Sequence, residues 1–206
     1  MQFDNNPYVV TVTNIWFEGN TGDDGAGLCT DRIYRDPEDV GGEENYFQDS
    51  LLNIHNVVFS GNEAADDGGA MYFRAGIADI ENVVLDDNEG PGAAAMSVKG
   101  SSITLNNAIV SDNSGGAALY VEDTEDGAGS LVVTWSNLYD NSSVASGLED
   151  PRGSDGNIDE DPDYDSSAGD YSLRSSSPCI DAGDPSVTDS DGSRSDMGFH
   201  GGPGAP

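Results

Sequence analysis

Short apolar runs in this chain alternate with polar residues at the spacing of two that is typical of β-strands. Five blocks share one order: Asn, two residues, an apolar residue, two residues, Asn. The fifth block has Trp in place of the first Asn, and the blocks are Asn14–Asn20, Asn56–Asn62, Asn82–Asn88, Asn107–Asn113 and Trp135–Asn141. An alternating run precedes each block, and a third short apolar run follows most of them after a Gly/Asp-rich turn. The pattern predicts three short strands per repeat and almost no helix.

From Asn62 onward the closing asparagines are 26, 25 and 28 residues apart, whereas the first step is 42 residues. The excess falls in the acidic stretch 35–50, which we interpret as a loop inserted into one turn. Three strands per repeat without hairpin turns favour coils stacked in parallel about 4.8 Å apart. We therefore predict an all-β chain, a right-handed parallel β-helix of about 5–7 coils. Residues 1–150 would form coils, and residues 151–206 a final coil with a loop-rich C-terminal cap of the same domain.

The closing asparagines are predicted to stack into a structural ladder along the helix: Asn20, Asn62, Asn88, Asn113 and Asn141. Asn tolerates the left-handed backbone of a sharp corner better than most residues. Stacked amides can also pass hydrogen bonds from coil to coil and satisfy buried turn groups. The alternative, ordinary turn asparagines of a β-sandwich, explains less well why two asparagine positions recur at one spacing of six.

The formal net charge is −32, from 39 acidic against 7 basic residues. Such a surface repels nucleic acid and anionic membranes, and we predict neither as a partner. High salt would screen the self-repulsion, and divalent cations are compatible with it. No apolar stretch reaches the roughly 18 residues that a spanning helix needs, so we predict no membrane insertion.

The two cysteines are predicted not to form a disulfide. Cys29 belongs to the first coil and Cys179 follows the last, which places them on the order of 20 Å apart, against about 5.5 Å for a bridged pair. We interpret both as small buried apolar residues. A bridge would require the C-terminal part to fold back along the helix.

The residues predict no catalytic or cofactor-binding site. Three acidic pairs (Asp23-Asp24, Asp66-Asp67 and Asp86-Asp87) could supply the two carboxylates that glycoside hydrolysis needs about 5–10 Å apart. Turn chemistry explains them without catalysis, and we favour solvated turns. The sole lysine is Lys99, which leaves few bases for a lyase. His55 and His200 belong to no triad or metal-binding spacing.

Calcium is the one ion that the sequence favours. Asp189, Asp191, Ser193 and Asp196 place hard oxygen ligands at alternating positions beside a glycine turn, although the spacing is not that of an EF-hand. A second acidic cluster, Asp159, Asp161 and Asp163, is a weaker candidate. The alternative in both places is a solvated acidic loop without an ion.

The run from Ser177 to Gly202 (SPCIDAGDP … DSDGSRSDMGFHGG) resembles the closing element of many bacterial secreted β-helix proteins of the pectate-lyase-like superfamily. The coils resemble the same group and the chlamydial polymorphic outer-membrane proteins, which repeat Phe-x-x-Asn and Gly-Gly-Ala-aliphatic motifs. The matching segments are Phe17–Asn20, Phe59–Asn62 and Gly68–Met71. The resemblance implies a fold and an extracellular or cell-surface location. It says little about function, since the superfamily holds lyases, hydrolases, adhesins and filament parts.

Two classes of function stay open. The first is a non-catalytic structural or adhesive module whose partner is an extracellular polysaccharide or a surface protein. The second is a carbohydrate-active enzyme, hydrolase or lyase, or a polysaccharide-binding domain. A smooth acidic wall would favour the module, and a groove with exposed aromatics and a focused carboxylate pair would favour the enzyme. The dispersed aromatics favour the module. Because the first coil begins at Val9 without a cap, we expect a segment of a longer secreted protein.

Overall fold

The computed structural model describes residues 9–30, 51–125 and 127–206, and within them it contains β-strands and no helix. In chain order the strands are β1 (Val9–Glu18), β2 (Thr21–Asp24), β3 (Leu28–Thr30), β4 (Leu51–Ser60), β5 (Glu63–Asp67), β6 (Met71–Arg74), β7 (Ile77–Asp86), β8 (Glu89–Lys99), β9 (Ser102–Asn106), β10 (Ile109–Ser111), β11 (Ser114–Glu122), β12 (Ser130–Thr134), β13 (Asn137–Tyr139) and β14 (Ala145–Ser146). Strand length varies from 2 to 11 residues, and β1, β4 and β7, of 10 residues each, span an alternating run and most of the block that follows it.

These strands stack in two columns, and the pairings between them are all parallel. One column runs β1-β4-β7-β10-β13, with β9 and β12 beside it, and the other runs β14-β11-β8-β5-β2, with β3 and β6 beside it. Equivalent positions of the sequence repeat meet in register: Phe17 pairs with Phe59, and Phe59 with Leu85. The predicted all-β parallel β-helix is therefore confirmed.

The first column has five levels, so about four turns separate its first strand from its last, slightly fewer than the 5–7 coils predicted. Beyond β14 the chain adds one bridge to the stack, between Asn137 and Ile158, instead of a complete coil. The predicted loop at 35–50 lies outside the described residues.

Two residues of each block bend the chain, and both have left-handed backbone. The first position has φ between 48° and 53°; we call its residues the corner residues, and they are Asn14, Asn56, Asn82, Asn107 and Trp135. The sixth position is also left-handed, at Gly19, Gly61, Asp87, Asp112 and Asp140. None of the five ladder asparagines has positive φ. The left-handed explanation for the ladder positions was therefore wrong, because the preceding residue makes the bend.

The inside of the stack is one continuous apolar core. Phe59, Leu85, Val110 and Leu138 lie there, fully buried, in consecutive coils. Phe17 stacks on Phe59 with ring centroids 4.8 Å apart and planes 8° from parallel. Burial of such side chains is worth about 1.5–3 kcal/mol each and holds the coils together.

The C-terminal residues 159–206 run back along the side of the helix, and we call them the strap. The strap passes along the coils twice. In the first pass Tyr171 reaches the level of Ser60, and the chain then returns so that Cys179 lies beside Asn137. The second pass ends beside Asn56. The strap builds a second, smaller core against Val58, Val84 and Ile109 with its own buried side chains Cys179, Met197 and Phe199.

Cys29 and Cys179 form no disulfide. Cys179 is buried in the strap core, as the sequence suggested. Cys29 is exposed, so its interpretation as a buried residue was wrong: it faces outward on β3, in register with Tyr72, while Leu28 packs against the core.

Candidate functional site

The ladder asparagines are joined by side-chain amide hydrogen bonds. Each donates from Nδ2, at 2.8–3.0 Å, to Oδ1 of the next asparagine along the series Asn20, Asn62, Asn88, Asn113 and Asn141. The backbone N–H of the donating residue reaches the same oxygen at 3.0–3.2 Å. The same Nδ2 atoms of Asn62, Asn88 and Asn113 also donate to Phe17, Phe59 and Leu85 carbonyls. The role of this site is to satisfy buried turn groups, which are costly when unpaired.

The corner asparagines hold the strap by its backbone. Asn56 Nδ2 donates to the carbonyls of Phe199 and Gly201 at 2.9 and 2.7 Å. Asn82 Nδ2 donates to the Asp196 carbonyl at 3.0 Å. Asn107 Oδ1 accepts from the backbone N–H of Asp184. These bonds reach main-chain atoms of the strap, and one strap side chain adds to them: the Ser195 hydroxyl accepts from Asn82 and Asn107 at 3.3 and 3.4 Å.

The corner position changes in the last coil. Trp135 replaces the asparagine, and the Arg194 guanidinium lies 4.9 Å from its ring centroid. Two positions later Asn137 replaces an apolar residue. Its side-chain amide donates to the Glu160 carbonyl and accepts from the Glu160 backbone N–H. The strap therefore remains attached at the level where the corner asparagine is absent.

A hydrogen-bonded carboxylate lies beneath the strap. Asp86 accepts from Ser111 Oγ and from the Tyr171 hydroxyl, at 2.5 and 2.9 Å, and Tyr171 also contacts Ser60 Oγ at 2.7 Å. Burial raises the pKa of Asp86 above its ordinary value although both hydrogen bonds lower it. Of the acidic pairs, Asp86-Asp87 therefore contains one structural anchor, not two solvated turn residues.

The predicted calcium ligands lie in the second pass of the strap, where the three aspartates accept hydrogen bonds and Ser193 donates to one of them. Asp189 accepts from the backbone N–H groups of Asp196 and Gly202, Asp191 accepts from Ser193, and Asp196 accepts from Asp181. Burial and then the charges of Asp189, Asp181 and Asp191 raise the pKa of Asp196. In the part of the chain that the structure describes, no group of three His, Cys, Asp or Glu side chains is arranged to hold a metal.

The weaker acidic cluster is bound by arginines. Asp159 pairs with Arg152 at 2.8 Å and Asp163 with Arg174 at 3.3 Å, while Asp161 accepts from the backbone N–H of Asp163. These contacts fasten the start of the strap and leave the three carboxylates with different neighbours.

One outer face carries the only lysine, and we call it the lysine face. Lys99 Nζ lies 2.5 Å from Asp67 Oδ2, 3.7 Å from Glu122 Oε2, and 5.6 and 5.9 Å from the ring centroids of Tyr72 and Tyr120. Burial alone would lower the pKa of Lys99, but the hydrogen bond and charge of Asp67 outweigh it, and the pKa is raised. A protonated, ion-paired lysine is unsuited to act as a general base.

Asp24 adjoins this cluster, because it pairs in register with Asp67 on the neighbouring coil. Burial, followed by the charge of Asp67, raises its pKa, while a backbone hydrogen bond from Asp67 lowers it. The pair therefore places a carboxyl with a raised pKa beside a carboxylate that is ion-paired with Lys99. This arrangement, which the doublets in the sequence did not single out, arises because the two residues belong to different coils.

A second outer face is not covered by any of the described residues, and we call it the open face. It consists of the outward residues of the strand segments before the corners. One row is Thr11, Asn53, Asp79, Thr104 and Val132, and the next is Thr13, His55, Glu81, Asn106 and Thr134. Within each row, hydrogen bonds join neighbouring coils. Thr104 donates to Asp79 at 2.8 Å, Asn106 to Glu81 at 3.3 Å and Thr134 to Asn106 at 3.0 Å.

Neither histidine belongs to a catalytic arrangement in the described residues. His55 Nδ1 lies 3.6 Å from Glu81 Oε2 on the open face. His200 Nε2 contacts the carbonyl of Asp170 at 2.8 Å and packs its ring edge-on against Phe199. Both have neighbours that account for their positions.

Comparison of the chain with known protein families, with curated proteins and with solved structures finds no match in any of the three. Across the described residues, no helix has the length and apolar character needed to cross a membrane.

Proposed function

We propose that the chain is a non-catalytic β-helix module with a structural or adhesive role at the cell surface or outside the cell. The observation that carries the proposal is the open face, where five coils present two parallel rows of mostly polar side chains in register. At about 4.8 Å per coil the rows form a flat wall that suits a long or repetitive partner. That partner is an extracellular polysaccharide or a protein on another surface.

The aromatic side chains support a module over an enzyme, because they are used in packing. Trp16 packs edge-on against Tyr171 and Phe199, at centroid distances of 5.7 and 5.9 Å. Trp135 lies under Arg194, and Tyr72 is buried beside Lys99. A sugar-binding groove would need such rings free to stack on a ligand.

The test is a polysaccharide panel in calcium-containing molar salt, scored for retention of the protein and for release of reducing ends. We expect retention without cleavage. Thr104→Tyr, which places a bulky ring in the middle of the open face, should weaken retention at least tenfold, whereas Ser186→Tyr on the strap should leave it unchanged. Equal retention of both variants would exclude the open face as the binding surface.

The resemblance to pectate-lyase-like proteins keeps a second function in view, and one observation favours it. Asp24 and Asp67 lie on neighbouring coils in register, and retaining glycosidases hold their two carboxyl groups about 5–5.5 Å apart. A polysaccharide hydrolase of this kind would use Asp24 as the general acid and Asp67 as the nucleophile. Release of reducing ends that disappears in both Asp24→Asn and Asp67→Asn would establish the enzyme and overturn the module.

Calcium stabilisation is part of the proposal and rests on the acidic turn at Asp189, Asp191, Ser193 and Asp196. Burial is the main cause of the raised pKa of Asp196, and the charges of Asp189, Asp181 and Asp191 add to it. A bound ion would offset this repulsion. We expect EDTA to lower the melting temperature at constant ionic strength, and Asp191→Asn to abolish the difference between calcium and EDTA. Identical melting curves in calcium and EDTA would remove calcium from the proposal.

A further inference from the structure

The strap and the coils have separate apolar cores. The main core consists of coil residues, and its members continue to Val144 without a contribution from the strap. The second core is much smaller: three coil residues (Val58, Val84 and Ile109) and three strap residues (Cys179, Met197 and Phe199) are buried in it. Removing the strap would therefore open the small core and leave the large one closed.

The hydrogen bonds divide in the same way. The coils are joined by continuous parallel ladders, as in the nine-residue register between β4 and β7. Within the strap the bridges are isolated, at Tyr164 with Leu173 and at Thr188 with Arg194. Individual contacts fasten the strap to the coils. They come from the side chains of Asn56, Asn82, Asn107 and Asn137, from the Tyr171 hydroxyl to Asp86 and Ser60, and from the Gly198 N–H to the Asn107 carbonyl. Segments with few buried apolar contacts and without ladders open at a lower free energy than the core of the same protein.

From these two observations we propose that the strap is a separate opening unit, which undocks from the coils while the β-helix stays folded. The opened state exposes the apolar column Val58, Val84 and Ile109 and the thiol of Cys179. In the closed state that thiol is fully buried against Asn137, whose Nδ2 lies 3.2 Å from Sγ. Cys179 is thus a natural reporter of whether the strap is closed.

The chain also supplies a matched pair of positions for the test. Asn82 and Asn14 are both corner residues, with φ of 52° and 53°. Asn82 donates to the strap, whereas Asn14 is exposed and lies one coil beyond the last corner that the strap reaches. Glycine accepts the left-handed backbone at both positions. Asn82→Gly therefore removes a strap contact, and Asn14→Gly makes the same substitution without removing one.

The experiment uses the full chain in molar NaCl with Cys29→Ser, so that Cys179 is the single thiol. Labelling of Cys179 by N-ethylmaleimide is followed by mass spectrometry at increasing sub-denaturing urea. Amide hydrogen exchange of β8, which lies in the other column of strands, follows the coils in parallel samples. We expect Cys179 to be labelled through an opening that is more frequent than global unfolding and less sensitive to urea, because it exposes less surface.

The variants give the second readout. Asn82→Gly should accelerate labelling about tenfold, the effect of losing roughly 1.4 kcal/mol of contacts, without accelerating exchange in β8. Asn14→Gly should leave the labelling rate unchanged. If Cys179 instead reacts only as fast as the slowest β8 amides exchange, with the same urea dependence, strap and coils form one unit and the proposal fails. Equal acceleration by the two variants would also overturn it.

Discussion

The repeat contains two columns of asparagines, and the comparison between them shows how one residue type serves two purposes. The ladder column (Asn62, Asn88 and Asn113) lies inside a turn and bonds from coil to coil. The corner column (Asn56, Asn82 and Asn107) has left-handed backbone and bonds outward to the strap. The ladder needs an amide and no special backbone, whereas the corner needs both. This difference makes the two columns respond differently to the same substitutions.

The largest effect is expected from Asn88→Ala in the middle of the ladder. The change removes the acceptor of the Asn62 amide and backbone N–H and the donor to the Phe59 carbonyl. We expect the free energy of unfolding to fall by roughly 2–3 kcal/mol, because buried groups lose their partners. Urea unfolding at constant molar salt measures it. Asn53→Ala on the open face serves as the control and should stay within about 0.5 kcal/mol of the parent; a similarly small loss for Asn88→Ala would mean that the ladder is solvated.

The next effect is an inversion between alanine and glycine. At the corner, Asn82→Ala should be less stable than Asn82→Gly by about 1 kcal/mol, because alanine resists left-handed backbone. In the ladder, Asn88→Gly should be less stable than Asn88→Ala by about 0.5–1 kcal/mol, because glycine there only adds chain entropy. Four urea unfolding curves in one buffer decide the point. The same order in both columns would show that backbone conformation does not distinguish them.

A smaller effect should appear in the pH dependence, and it separates the groups beneath the strap from the exposed turns. Burial raises the pKa of Asp86 and of Asp196, so the folded chain takes up protons more readily than the unfolded one, and stability should rise as the pH falls from neutral toward their pKa values. Hydrogen bonds from Ser167 and Ser193 lower the pKa of Asp165 and Asp191. Their contribution is present above the unfolded pKa and is lost as the pH falls below about 4.

Thermal melts in molar salt across this range should therefore show a maximum on the acid side of neutral. Asp86→Asn should reduce the rise toward that maximum and leave the loss at lower pH in place. Stability that falls steadily from neutral pH downward would contradict the raised pKa values.

The smallest effect concerns the sixth position of the block, which is glycine in the first two coils and aspartate in the next three. Burial and then the charges of Asp86 and Asp140 raise the pKa of Asp112. Asp112→Asn keeps a residue that accepts left-handed backbone and removes one charge, so we expect a gain of about 0.5 kcal/mol at low salt. The gain should vanish in molar salt, because the screening length is then only about 3 Å and the repulsion between these carboxylates is lost. Asp155→Asn, at another residue with left-handed backbone, is the control for the change of residue type.

The sequence was sufficient for the fold because the features that define the coil are local and repeated. The alternation in Ile77–Glu81 predicts a strand, and the spacing of six between Asn82 and Asn88 marks the bend and the ladder position within the same repeat. The strap could not be predicted in this way. Its turn-rich sequence has no period, and its partners lie about 75–145 residues away in the chain, as for Asp184 with Asn107 and Gly201 with Asn56.

The candidate site shows the same division. Asp24 and Asp67 meet because coils stack in register, although each reads in the sequence as part of an acidic turn. The burial of Asp86 depends on Tyr171, which is 85 residues away. Cys29 looked like a core residue because its run is apolar. Side chains alternate along β3, however, so that Leu28 faces the core and Cys29 faces outward. Only the three-dimensional register assigns such residues.

The strap has a consequence for how the whole stack melts. In a solenoid each coil contacts its neighbours alone, so coils can be lost one at a time from either end, and cooperativity decays with distance. A segment bonded at Asn56, Asn82, Asn107 and Asn137 couples four coils that otherwise communicate only through nearest neighbours. While the strap is docked, fraying of one coil strains the attachments of the others and the stack melts as a block. Once the strap is released, the same stack becomes a one-dimensional chain that unzips from its ends.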